Sequence, residues 1–449
     1  MCLGLPGTLP VLNRELVEYI IRMGLATGCR ITPRSILARK NYFYPDLPKG
    51  YQISQYEEPI CVDGNLEIEL EGGTKTSVRV KRIHMEEDAG KLIHDQGPQT
   101  LVDLNRCGTP LIEIVTEPDL RSPREAYHAL ILIRQLVTYL GICDGNMEEG
   151  SLRCDANVSI RLRGETALGT KTEVKNMNSF RNVERALEFE IQRQIDLVGT
   201  GGRVVQETLL WDADAGCAYP MRSKEEAHDY RYFPDPDLVP VLVDEAWEKA
   251  ARAALPELPV PRRDRYESAF GLPRYDANVL TAERPVADYF EQTLTALQGL
   301  RPGDGAALAK PVSNWVMTDV LRIVAEQKVD VGAFPIAPAR LAGMIGLILD
   351  GTISGKIAKD VFEAMLTSTA EAKAIVQERG LVQVSDGGAI TAIVEEVLTA
   401  NPAQVQQYLG GNERVFGFFV GETMKRMQGK GNPKMVNEAL KAQLAARKG

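Results

Sequence analysis

Four prolines, Pro256, Pro259, Pro261 and Pro273, lie close together near the middle of the chain. Because proline has no backbone N–H and clashes with the preceding helical turn, this density opposes a continuous helix or a central strand. We therefore predict a linker or hinge over residues 251–285. Before it, short strand-like runs alternate with helices, and after it apolar residues follow helical spacing. The pattern predicts an α+β protein with an N-terminal mixed-sheet domain and an all-α remainder.

The bulk composition is that of an ordinary globular protein, with 44% hydrophobic and 25% charged residues. No apolar run approaches the ~18 residues that cross a bilayer, and the first residues have no basic, apolar signal pattern. We therefore expect a cytoplasmic protein. The seven cysteines contain no C-x-x-C pair, so neither a disulfide framework nor a complete zinc site is visible.

The C-terminal segment carries a local positive charge, although the whole chain has a net charge of −9. From Gly421 to Gly449 seven cations stand against two anions. The candidates for phosphate contact are Lys425, Arg426, Lys430 and Lys434. A solvated helix face is the alternative explanation.

Carboxylates occur at the ends of two predicted strands. Residues 66–70 and 77–85 alternate with period two around Gly72 and Gly73, which predicts a β-hairpin that ends at Glu86, Glu87 and Asp88. Glu113 lies inside the apolar run of residues 111–115, where an isolated charge costs several kcal/mol unless it is paired, protonated or bound to a cation. Carboxylates so placed suit Mg²⁺. A structural ion pair between Glu113 and a buried Arg or Lys explains its position equally well.

Alternation along the first of these strands separates the acidic residues. It predicts that Glu87 shares a face with Ile83 and Met85 and points inward, and that Glu86 shares the opposite face with His84.

Three further segments each have more than one interpretation. Residues 39–52 place Lys40 and Lys49 on either side of an aromatic, proline-containing run that includes Tyr42, which suits a polar conduit, a phosphate site or a packed loop. Residues 229–237 could stack on a base or close a domain edge. Residues 147–157 are an acidic turn that either lines the same cleft or is simply exposed.

Two sequence patterns look like known functional motifs but do not match them. Residues 351–357 have the wrong spacing for a phosphate-binding P-loop, and the four histidines suggest no nucleophile-base pair.

Taken in order, six segments resemble the B subunit of the bacterial glutamyl/aspartyl-tRNA amidotransferases, the GatB family. They are residues 2–7, 39–55, 84–91, 108–115, 147–157 and 229–234. Residues 350–359 and 431–433 resemble the YqeY-like part of that family. The resemblance implies a catalytic cradle domain over 1–250, a helical domain over 286–375 and a YqeY-like, tRNA-binding tail over 376–449.

The resemblance also implies a reaction. The side-chain carboxylate of Glu on tRNA(Gln), or of Asp on tRNA(Asn), is activated by ATP as an acyl phosphate and then amidated with ammonia from a glutaminase subunit. The implied Mg²⁺ ligands are Glu87 and Glu113, and Lys40, Lys49 and Tyr42 resemble residues of the tunnel or active site. The implied partners are the A and C subunits in a heterotrimer, together with misacylated tRNA.

Family members usually begin further upstream, with a strand that carries Gly-Leu-Glu-Val-His and often with a zinc knuckle. Cys2 corresponds to the last cysteine of that knuckle, so we do not expect zinc in this chain. The match predicts that the natural start lies upstream of Met1. A catalytically inactive tRNA-binding scaffold is the alternative function.

Overall fold

A computed structural model describes residues 1–93, 97, 99–221, 230–302, 305–382, 387–427 and 430–447. The chain divides into two compact units, Met1–Pro259 and Val260–Gly449. Among these residues, the first unit contains five sheets and the second is helical, so the predicted α+β class is confirmed.

The strands of the first unit form one large antiparallel sheet, one mixed sheet and three small sheets. The large sheet has the order β1-β5-β6-β9, and the mixed sheet, with β11 and β12 parallel, has the order β10-β11-β12-β13. The small sheets are β14-β3-β4, β15-β2 and β7-β8. The strand bounds are β1 Arg30–Ile31, β2 Arg34–Ser35, β3 Ala38–Asn41, β4 Tyr51–Ser54, β5 Cys61–Glu69, β6 Lys75–Glu87, β7 Lys91–Ile93, β8 Leu101–Asp103, β9 Pro110–Thr116, β10 Ala156–Val158, β11 Thr172–Lys175, β12 Thr208–Asp212, β13 Cys217–Pro220, β14 Phe233–Pro234 and β15 Val241–Leu242.

The predicted hairpin is confirmed as β5 and β6. Its turn contains Gly72 and Gly73, both at positive φ, a conformation that glycine adopts without a Cβ penalty. The register shifts between Val80 and Arg82, where β6 pairs with β9. This β-bulge lies a few residues before the acidic end of the strand.

The described part of the first unit contains four helices, α1 Arg14–Ala26, α2 Pro123–Tyr139, α3 Phe180–Gly199 and α4 Glu245–Ala253. Serine side chains cap two of these helices. Ser122 accepts a hydrogen bond from the N–H of Glu125 and caps α2, and Ser179 caps α3 by accepting from the N–H of Asn182. Helix α1 packs against β5 and β6, and α2 against β5 and α3, so the large sheet has a covered apolar face.

The second unit contains twelve α-helices among its described residues, with a π-helical turn over Val316–Val320. Their bounds are α5 Pro259–Phe270, α6 Arg274–Leu280, α7 Arg284–Leu300, α8 Gly305–Trp315, α9 Leu321–Gln327, α10 Pro338–Leu349, α11 Gly355–Leu366, α12 Ala372–Glu378, α13 Gly387–Ala400, α14 Pro402–Leu409, α15 Phe416–Arg426 and α16 Pro433–Ala446. Two separate apolar cores lie within this unit, one built by α5 to α12 and the other by α13 to α16. None of the described helices combines the length and the apolar character that crossing a membrane requires.

The proline-rich segment differs from the expected linker. Helix α5 begins at Pro259 and contains Pro261 in its first turn, where the backbone N–H groups have no partner within the helix, so both prolines fit there. Tyr266 of the same helix is fully buried in the core that α7 lines. The segment is therefore largely helical and packed rather than an extended hinge.

Candidate functional site

The strands β6 and β9 bring three metal-ligating side chains together. Because the register sets His84 opposite Glu113, and Glu86 follows His84 on the same face, all three point to one place. One ligand atom from each of His84, Glu86 and Glu113 lies within 4.8 Å of the others. The imidazole Nε2 of His84 is 4.0 Å from a carboxylate oxygen of Glu113. We call these three residues the acidic cluster.

The electrostatics of the acidic cluster favour a cation. Burial, and then the neighbouring Glu86 charge, raise the pKa of Glu113. Burial, followed by the Arg82 and Lys40 charges, lowers the pKa of His84 to about 3, so its imidazole is neutral at pH 7. The buried Nδ1 of His84 has no hydrogen-bond partner within the described part of the chain. A neutral imidazole beside two carboxylates is a donor set that fits a divalent metal ion.

The Glu113 side chain is more exposed to solvent than the apolar sequence around it predicts. Residues 111–116 of β9 are all partly exposed, and the Glu113 side chain retains 43% of its accessible surface. Its carboxylate can therefore be reached from solvent, as a ligand that meets a substrate must be.

The hairpin of β3 and β4 supplies the groups that hold Glu86. The Lys40 ammonium donates to both carboxylate oxygens of Glu86 at 3.2 Å, and the Ser54 hydroxyl donates at 2.9 Å. The Gln52 amide donates to the backbone carbonyl of Glu87 at 2.7 Å. These contacts fix the end of β6 against β4.

Glu87 lies on the other face of β6, with the buried Ile83 and Met85, as alternation predicts. Its carboxylate forms an ion pair with Lys49, whose side chain is only 3% exposed, and accepts from the N–H of Ile53 at 3.0 Å. The structure thus joins Glu113 to Glu86 and His84, and Glu87 to Lys49. Glu87 therefore forms a structural ion pair, whereas the sequence left such a pair open as the alternative for Glu113.

Two of the ambiguous sequence segments meet in one sheet. Strand β14 pairs with β3, which places Phe233 opposite Arg39. Tyr42, half-buried just after β3, stacks on Tyr44 with ring centroids 5.7 Å apart, and burial raises the pKa of its hydroxyl. Asp229, the first residue of the second segment, lies outside the described residues.

The third ambiguous segment reaches the same region through one arginine. Arg153 donates to Asp88 at 3.0 Å, and Arg106 donates to the same buried carboxylate at 3.0 Å. Glu148 and Glu149 are exposed, so the acidic turn itself is a solvated loop.

The tail cations are only partly available. Lys425 and Arg426 form the last turn of α15, and Arg426 pairs with Glu396 of α13 at 3.2 Å. Lys434 lies in the first turn of α16 and is exposed, and Lys430 precedes it. Within the described ranges, neither Lys430 nor Lys434 forms an ion pair.

Sequence reasoning missed three residues of this site. Ser54 donates to Glu86, Tyr56 stacks on Tyr232, and Arg82 lies over the Tyr56 ring. The sequence predicts His84 on the same face as Glu86 but does not identify it as a metal-type ligand. The signal was the period-two placement of residues 82, 84 and 86 on one face, with Glu113 across the strand pair.

Comparisons with known proteins cover almost the whole chain. Residues 1–249 match the family model described as the GatB/GatE catalytic domain, and residues 288–444 match one described as the GatB domain. A protein from Chlorobium limicola is 59% identical over 444 residues, which cover 99% of this chain and 91% of that protein. One from Chlorobaculum tepidum is 58% identical, covering 99% and 92%, and one from Geobacter sulfurreducens is 57% identical, covering 99% and 91%. All three are named as the B subunit of an aspartyl/glutamyl-tRNA(Asn/Gln) amidotransferase.

Proposed function

Because the chain belongs to the GatB family of amidotransferase B subunits, we propose that it amidates Glu on tRNA(Gln), Asp on tRNA(Asn), or both. The reaction uses ATP to phosphorylate the side-chain carboxylate and then ammonia to displace phosphate. The single observation that carries this proposal is the acidic cluster, set beside the paired lysines Lys40 and Lys49 within the matched catalytic domain. A carboxylate is a poor electrophile, so phosphorylation is needed to create a leaving group.

The acidic cluster would hold Mg²⁺. We place the ion on Glu113, Glu86 and His84, whose ligand atoms converge, and assign Glu87 to its pairing with Lys49. When bound, Mg²⁺ supplies positive charge that neutralises the phosphate oxygens during transfer.

Side chains of this protein would position the metal ligand and line the path of ammonia. Lys40 holds Glu86 in place, and the Ser54 hydroxyl satisfies its second oxygen. Lys40 pairs with Glu86, and Lys49 pairs with Glu87. These polar groups would line the path of ammonia, which can pass between them by hydrogen bonds. Tyr42 lies in the loop that connects the two strands of the same hairpin.

The proposed complex has several components. Ammonia comes from a glutaminase A subunit, and a C subunit completes a heterotrimer in the cytoplasm. The tail helices α15 and α16, with Lys425, Arg426, Lys430 and Lys434, would contact the tRNA backbone through phosphate charges. Of these, Lys430 and Lys434 are the better candidates because Arg426 already has a carboxylate partner.

The first experiment is reconstitution with the A and C subunits, ATP, Mg²⁺, glutamine and Glu-tRNA(Gln). We expect Gln-tRNA(Gln), and a decrease of about 10²–10³-fold in its rate of formation for Glu113→Ala, since charge stabilisation at the phosphate is removed. Glu67→Ala is the matched control, because Glu67 lies on β5 in an exposed pair with Lys75. Unchanged amide formation with Glu113→Ala would refute the site assignment.

The same assay distinguishes the alternative function. A scaffold would bind tRNA and assemble with its partners, yet no amide would form with any nitrogen source.

The tail is tested separately by tRNA binding. Charge reversal at Lys430 and Lys434 should weaken binding and reduce its dependence on salt by about one unit of slope for each phosphate contact that is removed. Charge reversal at Arg203, an exposed cation of the first unit, serves as the control. Equal affinity of the tail variant and the wild type would indicate that these lysines lie on a solvated helix face and do not contact the tRNA.

A further inference from the structure

Arg82 faces the acidic cluster because of the bulge in β6. Before the bulge, Val78 and Val80 are buried in the core, and after it Ile83 and Met85 are. The extra residue therefore shifts the side-chain alternation by one position. Bulges commonly re-aim side chains next to active sites in this way.

The shift puts Arg82 on the same face as His84 and Glu86. Residues two apart on a strand are about 7 Å apart, a distance that an arginine side chain spans. Across the strand pair, Arg82 lies opposite Val115, and His84 lies opposite Glu113. The guanidinium of Arg82 can therefore reach the space in front of the acidic cluster.

Arg82 is available to bind an anion. Within the residues that the structure describes, no carboxylate forms an ion pair with it, and its buried Nε has no hydrogen-bond partner. Lys40 and Lys49, by contrast, are already paired with Glu86 and Glu87. A partly buried guanidinium without a partner is costly unless a ligand completes its hydrogen bonds.

The aromatic rings beside Arg82 hold it in place. Its guanidinium carbon lies 5.7 Å from the centroid of the Tyr56 ring, and Tyr56 stacks on Tyr232 at 4.6 Å with an interplanar angle of 14°. A cation over an aromatic face keeps its planar donor fork ordered without neutralising its charge. The arrangement thus orders the cation and leaves its charge for a ligand.

We propose that Arg82 binds the phosphoryl group that is transferred, with its two-pronged donor fork on the phosphate oxygens. This inference rests on the proposed function and adds a catalytic residue to it. A carboxylate oxygen of the aminoacyl group attacks the γ-phosphorus while the bond to the ADP oxygen breaks, giving an acyl phosphate and ADP. The nitrogen of ammonia then attacks the acyl carbon, the bond to the phosphate oxygen breaks, and the proton lost by nitrogen leaves with hydrogen phosphate.

Arg82 acts in both steps for the same reason. Negative charge on the phosphoryl oxygens is present throughout transfer and grows again on the departing phosphate. Arginine matches these oxygens geometrically, whereas lysine provides a single point charge.

The experiment uses the reconstituted three-subunit complex with Glu-tRNA(Gln), ATP and ammonium chloride, so that ammonia supply does not depend on glutamine hydrolysis. ADP formation, amide formation and tRNA affinity are measured for Arg82→Gln and Arg82→Lys. We expect ADP formation to fall about 10²–10³-fold in Arg82→Gln and roughly tenfold in Arg82→Lys. The affinity for tRNA should stay within about twofold of the wild type.

Arg79→Lys is the matched control. Arg79 lies three residues upstream on the same strand, before the bulge, and is paired with Asp119 at 2.7 Å. Its rates should equal those of the wild type. For every variant, glutamine hydrolysis by the A subunit reports assembly, and the thermal unfolding midpoint reports folding. If Arg82→Gln is unstable, Arg82→Lys still provides a test because it retains the cation over Tyr56.

The outcomes separate the two proposals. If the wild-type complex forms no amide, the proposed function and the role of Arg82 both fail. If the wild type is active and both Arg82 variants form ADP within about threefold of it, only the role of Arg82 is refuted. If both variants lose tRNA affinity as strongly as ADP formation, Arg82 contacts the tRNA instead and the phosphoryl assignment is wrong.

Discussion

Removing one partner of the ion pair between Lys49 and Glu87 should strongly destabilise the first unit. The two side chains retain 3% and 11% of their accessible surface, so both charges lie away from water. Lys49→Met keeps the length of the aliphatic stem and removes the ammonium. Glu87 would then keep a buried negative charge with the N–H of Ile53 as its remaining donor at 3.0 Å.

The expected loss follows from that burial. Removing one partner of a buried pair costs about 3–5 kcal/mol, and the surviving hydrogen bond places this variant near the lower end, at about 3 kcal/mol. For a unit of this size, each kcal/mol lowers the unfolding midpoint by about 2–4 °C, so the midpoint should fall by roughly 6–12 °C. In the double variant Lys49→Met/Glu87→Gln no charge is left unpaired, and most of the loss should be recovered.

Differential scanning calorimetry of the full chain measures this effect, because it can resolve the transition of each unit. Lys75→Met is the control, since Lys75 forms an exposed pair with Glu67 and its removal should cost less than about 1 kcal/mol. A Lys49→Met midpoint within about 2 °C of the wild type, or a double variant no more stable than the single one, would refute the reasoning. Either result would mean that water or protonation of Glu87 relieves the charge.

Three smaller perturbations test other features. Ser122→Ala removes the cap of α2 and should cost about 1 kcal/mol in urea unfolding, whereas Ser122→Thr should cost much less. Gly108→Ala should cost about 1–3 kcal/mol, because φ is +78° and the new Cβ would lie 2.2 Å from the Sγ of Cys2. A hydrogen bond from Arg79 and its charge lower the pKa of Asp119 to about 2, from 3.8, so this carboxylate stabilises the fold above about pH 4 and loses that effect as the pH falls toward 2. Asp119→Asn should therefore cost up to about 1 kcal/mol at pH 7, and the difference from the wild type should shrink below pH 4.

Local sequence rules located most elements that build the site. Alternation and turn glycines predicted the β5–β6 hairpin, because both depend on neighbours along the chain. Alternation also separated Glu86 from Glu87 correctly. Alternation did not predict which face of β6 carries the acidic cluster. That depends on Lys40 and Lys49, which come from the β3–β4 hairpin, distant in sequence.

Two differences have clear physical reasons. Proline density predicted a hinge, but prolines in the first turn of a helix cost nothing in hydrogen bonds, and Tyr266 provides a buried anchor for α5. The bulge at Val80 and Arg82 is invisible to a period-two rule, which assumes an unbroken ladder. Alternation through Ile83 and Met85 already places Arg82 on the opposite face, and the pairing of β6 with β9 shows the bulge that separates Arg82 from the face of Val80.

The geometry at the end of β6 explains how the adjacent residues Glu86 and Glu87 can have different roles. Consecutive residues on a strand face opposite ways, so Glu86 points toward Glu113 and Glu87 toward the β3–β4 hairpin. The hairpin supplies a lysine to each: Lys40 lies in β3, and Lys49 lies just before β4. Glu87 and Lys49 bury their charges together and hold the hairpin in place. Glu86, which Lys40 holds, belongs to the acidic cluster, and there we propose that it binds the metal ion while the pair of Glu87 and Lys49 keeps the strand in place.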